Sequence, residues 1–330
     1  MTIHLLLLAA GFLLLYFGAQ WLVRGSANLA RSLGISAVVV GLTVVAFGTS
    51  SPELVVSVIS SLQDKSMIAV GNVVGSNICN IALVLGSAAV LMPITANRSV
   101  VRRDIPLMLA ISLYLLLLSL DSEITRFEGA TLFAGVIAYT VFNYYISVRE
   151  SRAAGAANPG GAGPAAAVEA EEIRPVTSRP GQIVLITAGI AGVVIGADTM
   201  IDSAVAIMKS FGVSEKFVGL TVVAFGTSLP ELATSVVAAM KKQMDISIGN
   251  LVGSNVFNIL SVIGAAGLVR PIPIHGGFVE SGLIVDYFVM MGISILPWMM
   301  MSRDYTVKRR GGLLLLGCYA GYLAYLIVKG

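Results

Sequence analysis

The sequence GLTVVAFGTSSPEL at residues 41–54 recurs almost unchanged as GLTVVAFGTSLPEL at residues 219–232, and this recurrence is the strongest indication of how the chain folds. The similarity extends beyond these fourteen positions. Residues 41–86 align with residues 219–264 without a gap at a constant offset of 178, and 26 of the 46 positions are identical. The chain therefore contains an internal repeat, and the repeat indicates the architecture.

The composition of the 330-residue chain is that of a membrane protein. Apolar types make up 56% of the residues and charged types 12%, and the mean hydropathy is +0.89. A soluble domain has about 25% charged residues. The bilayer is therefore the solvent that the fold must satisfy, and the net charge of +3 gives no indication of nucleic-acid binding.

Ten apolar blocks predict ten membrane-spanning helices, because a span needs about 20 mostly apolar residues. The predicted fold is thus an all-α integral membrane protein. The blocks lie at residues 4–23, 35–62, 67–93, 105–120, 127–148, 181–208, 216–240, 246–269, 282–302 and 311–328.

The two copies of the repeat are predicted to be inverted. Five spans lie between one copy and the other, and because five is odd the copies cross the bilayer in opposite directions. This predicts two five-helix repeats over residues 1–150 and 181–330. The segment 151–180 begins with a Gly-, Ala- and Pro-rich tract, which predicts a flexible linker. Transporters built from inverted repeats place their substrate sites near the bilayer midplane.

The distribution of basic residues predicts the orientation. With the N-terminus outside, 15 of the 21 Lys and Arg residues fall in cytoplasmic loops. The positive-inside rule therefore predicts that both termini are on the extracytoplasmic side of the cell membrane and that the linker is cytoplasmic.

The first shared motif predicts discontinuous helices 2 and 7 among the ten. Pro52 removes a backbone donor and biases its predecessor away from helix, so the span breaks there. The break frees carbonyl oxygens near Ala46 and Phe47 to face a polar cavity. It also places Glu53 in the first turn of a half-helix, where the helix dipole favours a carboxylate. The second copy has the same features at Ala224, Phe225, Thr227, Ser228, Pro230 and Glu231.

A second shared motif reads GNVVGSNICNI at residues 71–81 and GNLVGSNVFNI at residues 249–259. Its polar residues recur at four-residue spacing, which places them on one helix face. They are Asn72, Ser76 and Asn80 in the first copy and Asn250, Ser254 and Asn258 in the second. Together with two glutamates, they predict an all-oxygen site, which suits Ca²⁺ or Na⁺, whereas Zn²⁺ and copper prefer nitrogen or sulfur ligands.

Each feature also has a purely structural interpretation. The Gly-x-x-x-Gly spacings let membrane helices pack closely, and any one of the Asn and Ser side chains can be an interhelical hydrogen bond. The two glutamates differ, because an ionisable residue at membrane depth is costly and functional by default. Asp198 and Asp202 have no counterparts in the first repeat and remain open between vestibule charges and structural hydrogen bonding.

On these paired motifs the chain resembles the sodium/calcium exchanger family of the cation/calcium exchanger superfamily, prokaryotic type. The resemblance implies a secondary active antiporter, not an enzyme, that exchanges Na⁺ for Ca²⁺ by alternating access and uses no cofactor. Its implied partners are the two ions and the lipid bilayer, with no nucleic acid and no obligate protein partner. The implied ion ligands are the side chains of Glu53, Glu231, Thr49, Thr227, Ser50, Ser228, Ser76, Ser254, Asn80 and Asn258 and the carbonyls of Ala46 and Ala224.

Some relatives carry Asp at the position of Asn80 or Asn258, and in the potassium-dependent branch such an Asp is associated with K⁺. The two asparagines make K⁺ dependence less expected. Three alternatives remain. One is H⁺/Ca²⁺ antiport through the same two glutamates. A second is a cation channel, which needs a continuous pore, and a third is an intramembrane hydrolase, for which the motifs supply no activated nucleophile.

Overall fold

A computed structural model describes residues 2–157, 176–210, 226–274 and 276–329. Apart from four two-residue strands, the regular structure in these ranges is helical. We number the helices α1 Thr2–Leu33, α2 Ala37–Thr49, α3 Ser51–Leu62, α4 Ser66–Leu91, α5 Ile105–Leu118, α6 Arg126–Ala157, α7 Arg179–Ser210, α8 Leu229–Met240, α9 Met244–Val269, α10 Leu283–Asp304 and α11 Arg309–Lys329. Most of the predicted linker and the first part of predicted helix 7 lie outside the described residues.

Seven of the described helices are long and apolar enough to cross a bilayer. They are α1, α4, α6, α7, α9, α10 and α11, and α2 and α3 pass the same test as a bent pair. The prediction of an all-α fold with several membrane spans is therefore confirmed. The described helices account for seven or eight spans by this test, so the full set of ten remains a prediction.

Large apolar side chains cover the outer surface of several helices. Phe12 on α1 is 57% exposed, Val141 on α6 is 61% exposed and Leu314 on α11 is 52% exposed. A soluble protein rarely presents such contiguous apolar surface to water. In a bilayer the same surface faces hydrocarbon, so these helix faces have the composition that lipid contact requires.

The predicted break in the first repeat is confirmed. Helix α2 ends at Thr49, Ser50 forms the turn, and α3 begins at Ser51 with a bend of 48° between the two helices. Pro52 lies in the first turn of α3, where its missing N–H costs no intrahelical hydrogen bond. The break therefore converts one long apolar block into two short helices.

The second repeat has the same local design in its described part. Thr227 and Ser228 form a turn, and α8 begins at Leu229 with Pro230 and Glu231 in its first turn. The residues before Gly226 lie outside the described range. The helix start after the Thr-Ser turn thus occurs in both copies.

The chain forms two compact units, and each draws on both sequence halves. The first comprises Met1–Thr49 and Tyr145–Asn250. Within it α1 packs along α7 at glycines: a Cβ on Gly18 would lie 2.7 Å from the carbonyl carbon of Gly192, and a Cβ on Gly196 would lie 2.5 Å from the nitrogen of Leu15. Only glycine permits backbones to approach this closely.

The second unit comprises Ser50–Tyr144 and Leu251–Gly330. Within it α3 packs on α4, and α4 packs on α11 and α10. Two short antiparallel ladders join chain segments outside the helices. They are β1 Ile94–Thr95 with β4 Thr306–Val307, and β2 Glu123–Ile124 with β3 Ile272–Pro273. Each ladder therefore ties a segment of the first sequence half to one of the second.

Candidate cation-binding site

Glu53 lies in the second unit and is fully buried. The hydroxyl of Ser76 on α4 donates to its Oε1 at 3.5 Å, and the Nδ2 of Asn72 donates to its backbone carbonyl at 3.2 Å. The turn at Ser50 places this carboxylate at the N-terminal end of α3, where the partial positive charge of the helix favours an anion. The structure thus brings Glu53 and Ser76 together as the motifs predict.

Glu231 lies in the first unit and is also fully buried. It occupies the first turn of α8, with buried Thr234 and Ser235 on the same helix. The hydroxyls of Thr227 and Ser228 in the preceding turn are buried and have no hydrogen-bond partner among the described residues. Hydroxyl oxygens of this kind retain lone pairs that can coordinate a cation.

Thr49 also lies in the first unit, and its hydroxyl is fully buried. Its Oγ1 donates to Oδ1 of Asn250 on α9 at 3.1 Å and lies 3.4 Å from the carbonyl oxygen of Ala46. The first repeat therefore contacts the second through these two polar side chains. Ala224, the predicted counterpart of Ala46, lies outside the described residues.

Asn72 and Asn250 form hydrogen bonds between helices, as the purely structural interpretation of the polar stripe predicts. Each donates from Nδ2 to a serine hydroxyl on the preceding helix, to Ser57 at 3.0 Å and to Ser235 at 3.1 Å. The two serines correspond at the repeat offset. Neither serine belongs to the predicted polar stripe, although their identity in both copies is a usable signal.

Asn80 and Asn258 form a network with Asn77 and Asn255 inside the second unit. The Nδ2 of Asn80 donates to Oδ1 of Asn255 at 3.1 Å, and the Nδ2 of Asn258 donates to Oδ1 of Asn77 at 3.0 Å. Asn77 and Asn255 each donate to the other's backbone carbonyl, at 3.2 and 3.3 Å. Asn77 and Asn255 lie outside the predicted polar stripe, although both belong to the repeated Gly-Ser-Asn.

The helices carrying these asparagines widen at the same point. A π-helical stretch begins at Asn80 in α4 and runs to Leu85, and another begins at Asn258 in α9 and runs to Ile263. Widened turns of this kind occur frequently at functional sites. The Oδ1 atoms of Asn80 and Asn258 are buried and have no hydrogen-bond partner among the described residues, so both can accept a cation.

The remaining predicted site residues are also in the described part. Ser50 forms the turn before α3 and is 3% exposed, and Ser254 on α9 is fully buried. Asp198 and Asp202 lie on α7 with exposed side chains. In the described ranges no cluster of three or more His, Cys, Asp or Glu side chains has the geometry of a metal site. A cation would therefore depend on neutral oxygens beside the carboxylates.

Known proteins of similar sequence and structure show the family to which the chain belongs. A family model described as sodium/calcium exchanger protein matches residues 3–145 and 181–328. The putative antiporter CaxA of Alkalimonas amylolytica is 33% identical over 98% of both chains, and the sodium/calcium exchanger MaX1 of Methanosarcina acetivorans is 30% identical over 98% of this chain and 99% of its own. A solved structure of the sodium-calcium exchanger NCX_Mj, soaked with Na⁺ and Ca²⁺, has a TM-score of 0.79 at 30% identity and covers 98% of both chains.

The helical membrane fold and the family match together define a multi-pass membrane transporter of cations. The chain belongs to the sodium/calcium exchanger family, of prokaryotic type. This family consists of transporters rather than enzymes, and its activity is cation/Ca²⁺ exchange. The family resemblance that the motifs indicate is thereby confirmed.

Proposed function

We propose that the chain is a Na⁺/Ca²⁺ antiporter that works by alternating access, with an all-oxygen ion site near the bilayer midplane. The proposed side-chain ligands are Glu53, Glu231, Thr49, Thr227, Ser50, Ser228, Ser76, Ser254, Asn80 and Asn258. The carbonyls of Ala46 and Ala224 complete the set. Na⁺ and Ca²⁺ are the transported substrates, and no resident cofactor is proposed.

The observation that carries this proposal is the complete burial of Glu53 and Glu231 at equivalent helix starts. Burying an ionised carboxylate costs several kcal/mol unless another charge compensates it. Neither shared motif contains Lys, Arg or His. Hydroxyl and amide oxygens lie in the same motifs, and these are the ligand types that Ca²⁺ and Na⁺ prefer.

Exchange follows from the charge of such a site. Two carboxylates carry a formal charge of −2, which one Ca²⁺ or more than one Na⁺ can neutralise. A site without its cations keeps two buried negative charges and resists reorientation across the bilayer. Each crossing therefore requires bound ions, so the two cations are transported in opposite directions.

We also propose that the ten predicted helices form two inverted repeats, at residues 1–150 and 181–330, joined by a cytoplasmic linker at residues 151–180. The reciprocal hydrogen bonds of the asparagine network support this arrangement, because each bond recurs with the two copies exchanged. A two-fold relation between the repeats produces this reciprocity. The basic residues support termini on the extracytoplasmic side.

Uptake of ⁴⁵Ca²⁺ into proteoliposomes tests the coupling ion. Vesicles loaded with Na⁺ are compared with vesicles loaded with K⁺ and with vesicles loaded with acid, each diluted into Ca²⁺ medium. We expect an outward Na⁺ gradient alone to drive uptake. Uptake that follows only the proton gradient would replace Na⁺ by H⁺ as the coupling ion, and uptake without any counter-ion gradient would indicate a channel.

A further inference from the structure

We infer that Asn77 and Asn255 are positioning residues that fix the side-chain amides of Asn258 and Asn80 with their oxygens presented to the transported cation. The inference rests on the proposed function, since it takes Asn80 and Asn258 as ion ligands. It assigns a role to two residues that have no part in the proposed ligand set. All four side chains lie in the second unit, and none is more than 1% exposed.

The network fixes the orientation of each amide in two steps. The Nδ2 of Asn77 donates to the backbone carbonyl oxygen of Asn255 at 3.2 Å. A carbonyl oxygen can only accept a hydrogen bond, so the nitrogen end of the Asn77 amide must face it. The Oδ1 of Asn77 is therefore the end that meets Asn258, and it accepts the Nδ2 of that residue at 3.0 Å. Asn255 orients Asn80 through the equivalent pair of bonds, at 3.3 and 3.1 Å.

As a result, the NH₂ groups of Asn80 and Asn258 point to the network and away from the proposed cation. The Oδ1 atoms of Asn80 and Asn258 are buried without a hydrogen-bond partner among the described residues. An unsatisfied buried acceptor costs free energy, so a partner such as an ion or a water molecule is needed to satisfy it. A flipped amide would instead present its NH₂ group, which repels a cation and cannot coordinate it.

The network also distinguishes Asn from Asp at the ligand position. A carboxylate at position 258 has no donor, so it would face the Oδ1 of Asn77 with two oxygens in contact and no hydrogen bond. A carboxylate presents an oxygen in either orientation and needs no positioning. The benefit of Asn77 should therefore depend on the residue at position 258, which a double-mutant cycle measures directly.

The test is Ca²⁺ titration of four purified chains in detergent: the native protein, Asn77→Ala, Asn258→Asp and the double variant. We expect Asn77→Ala alone to raise the Kd for Ca²⁺ by roughly three- to tenfold, the range of one lost hydrogen bond. In the Asn258→Asp background, the same truncation should leave the Kd unchanged or lower it. Asn143→Ala is the matched control, because Asn143 is buried and donates a hydrogen bond to the backbone carbonyl oxygen of Tyr139 in its own helix, outside the asparagine network.

An equal rise of the Kd in both backgrounds would overturn the positioning role and leave Asn77 with a structural one. If Asn77→Ala does not fold, the reciprocal cycle of Asn255→Ala with Asn80→Asp tests the same claim. Uptake into Na⁺-loaded vesicles separates this inference from the proposed function. Ca²⁺ binding with the expected cycle but without Na⁺-driven uptake refutes the antiport alone, and absence of Ca²⁺ binding by the native chain refutes both.

Discussion

Two carboxylates, those of Glu53 and Glu231, are buried among the described membrane helices at a large electrostatic cost. Glu53 and Glu231 have no exposed surface, and an acidic residue at this depth costs about 2.5–3.5 kcal/mol even on insertion scales. Each lies at the N-terminal end of a short helix, which lowers the cost of the charged form. The remaining cost is the physical reason for the cation binding that we propose there.

The polar side chains of the two motifs divide into proposed ion ligands and residues that support the helices. Asn72 donates to Ser57 at 3.0 Å, a bond between α3 and α4 that holds the Glu53 helix in place. We expect Ser57→Ala to lower the free energy of unfolding by about 0.6 kcal/mol, the mean for interhelical hydrogen bonds in membranes. The melting temperature in detergent should fall by about 1–3 °C.

Ser302→Ala is the control for this prediction, because Ser302 is exposed and its hydroxyl donates to the backbone carbonyl oxygen of Met299 in its own helix. That variant should melt with the native protein. If Ser57→Ala also melts with the native protein, the Asn72 bond does not support α3.

At the residue scale, the identities in the two motifs were enough to predict buried glutamates and a polar stripe. They did not separate the roles of neighbouring asparagines. Asn80 has an amide oxygen without a partner in the described structure, whereas Asn77 uses both ends of its amide. Which role an asparagine takes depends on the partner that the other repeat supplies, and a pattern within one helix does not contain that information.

The break between α2 and α3 shows how a local chemical preference determines an element. Pro52 prevents a continuous helix, and the chain bends by 48° at Ser50. The proline could be located from the sequence, since its effect on the backbone is local. The helix limits were less predictable: the first apolar block ends at residue 23, whereas α1 continues to Leu33. Hydropathy indicates how much of a helix lies in the hydrocarbon core of the bilayer. The helical hydrogen bonds can continue beyond it into the membrane–water interface.

Helices α1 and α7 depend on glycine for their packing. A Cβ at Gly196 would lie 2.5 Å from the nitrogen of Leu15, so a larger residue must push the two backbones apart. We expect Gly196→Val to lower the free energy of unfolding by about 1–3 kcal/mol, the usual cost of overpacking. The variant should show a lower melting temperature and a smaller monodisperse fraction in size-exclusion chromatography.

Gly317→Val is the matched control, since a Cβ there meets no described atom within 4 Å. It makes the same change of side chain within α11. Equal melting temperatures for the two variants would show that the α1–α7 contact tolerates separation.

At the scale of the whole molecule, the distribution of basic residues predicts the orientation in the membrane. In a background of Cys79→Ser and Cys318→Ser, a membrane-impermeant thiol reagent should label Glu280→Cys in intact cells. It should label Lys308→Cys only after permeabilisation. Both native side chains are exposed, so labelling should depend only on the side of the membrane on which each residue lies. The reverse labelling pattern would place both termini in the cytoplasm.

The duplication is the feature of the whole chain that was most directly readable from its sequence. An offset of 178 relates the glutamates, the serines and all four asparagines of the network. The hydrogen bonds between Asn77 and Asn255 join residues that are equivalent in the two copies. No periodicity within one copy predicts such a contact, because it arises only when two copies pack against each other.

We propose that Ca²⁺ and Na⁺ compete for one site that requires both glutamates. The most direct test is equilibrium binding of ⁴⁵Ca²⁺ to the purified protein at increasing Na⁺, for the native chain, Glu53→Gln, Glu231→Gln and the exposed control Glu280→Gln. We expect Na⁺ to displace Ca²⁺ from the native chain and the control with a Hill coefficient above one. Each buried substitution should weaken Ca²⁺ binding by at least about 100-fold, because it leaves one buried carboxylate for a divalent ion. Ca²⁺ binding that survives both substitutions, or that Na⁺ does not displace, would contradict the account.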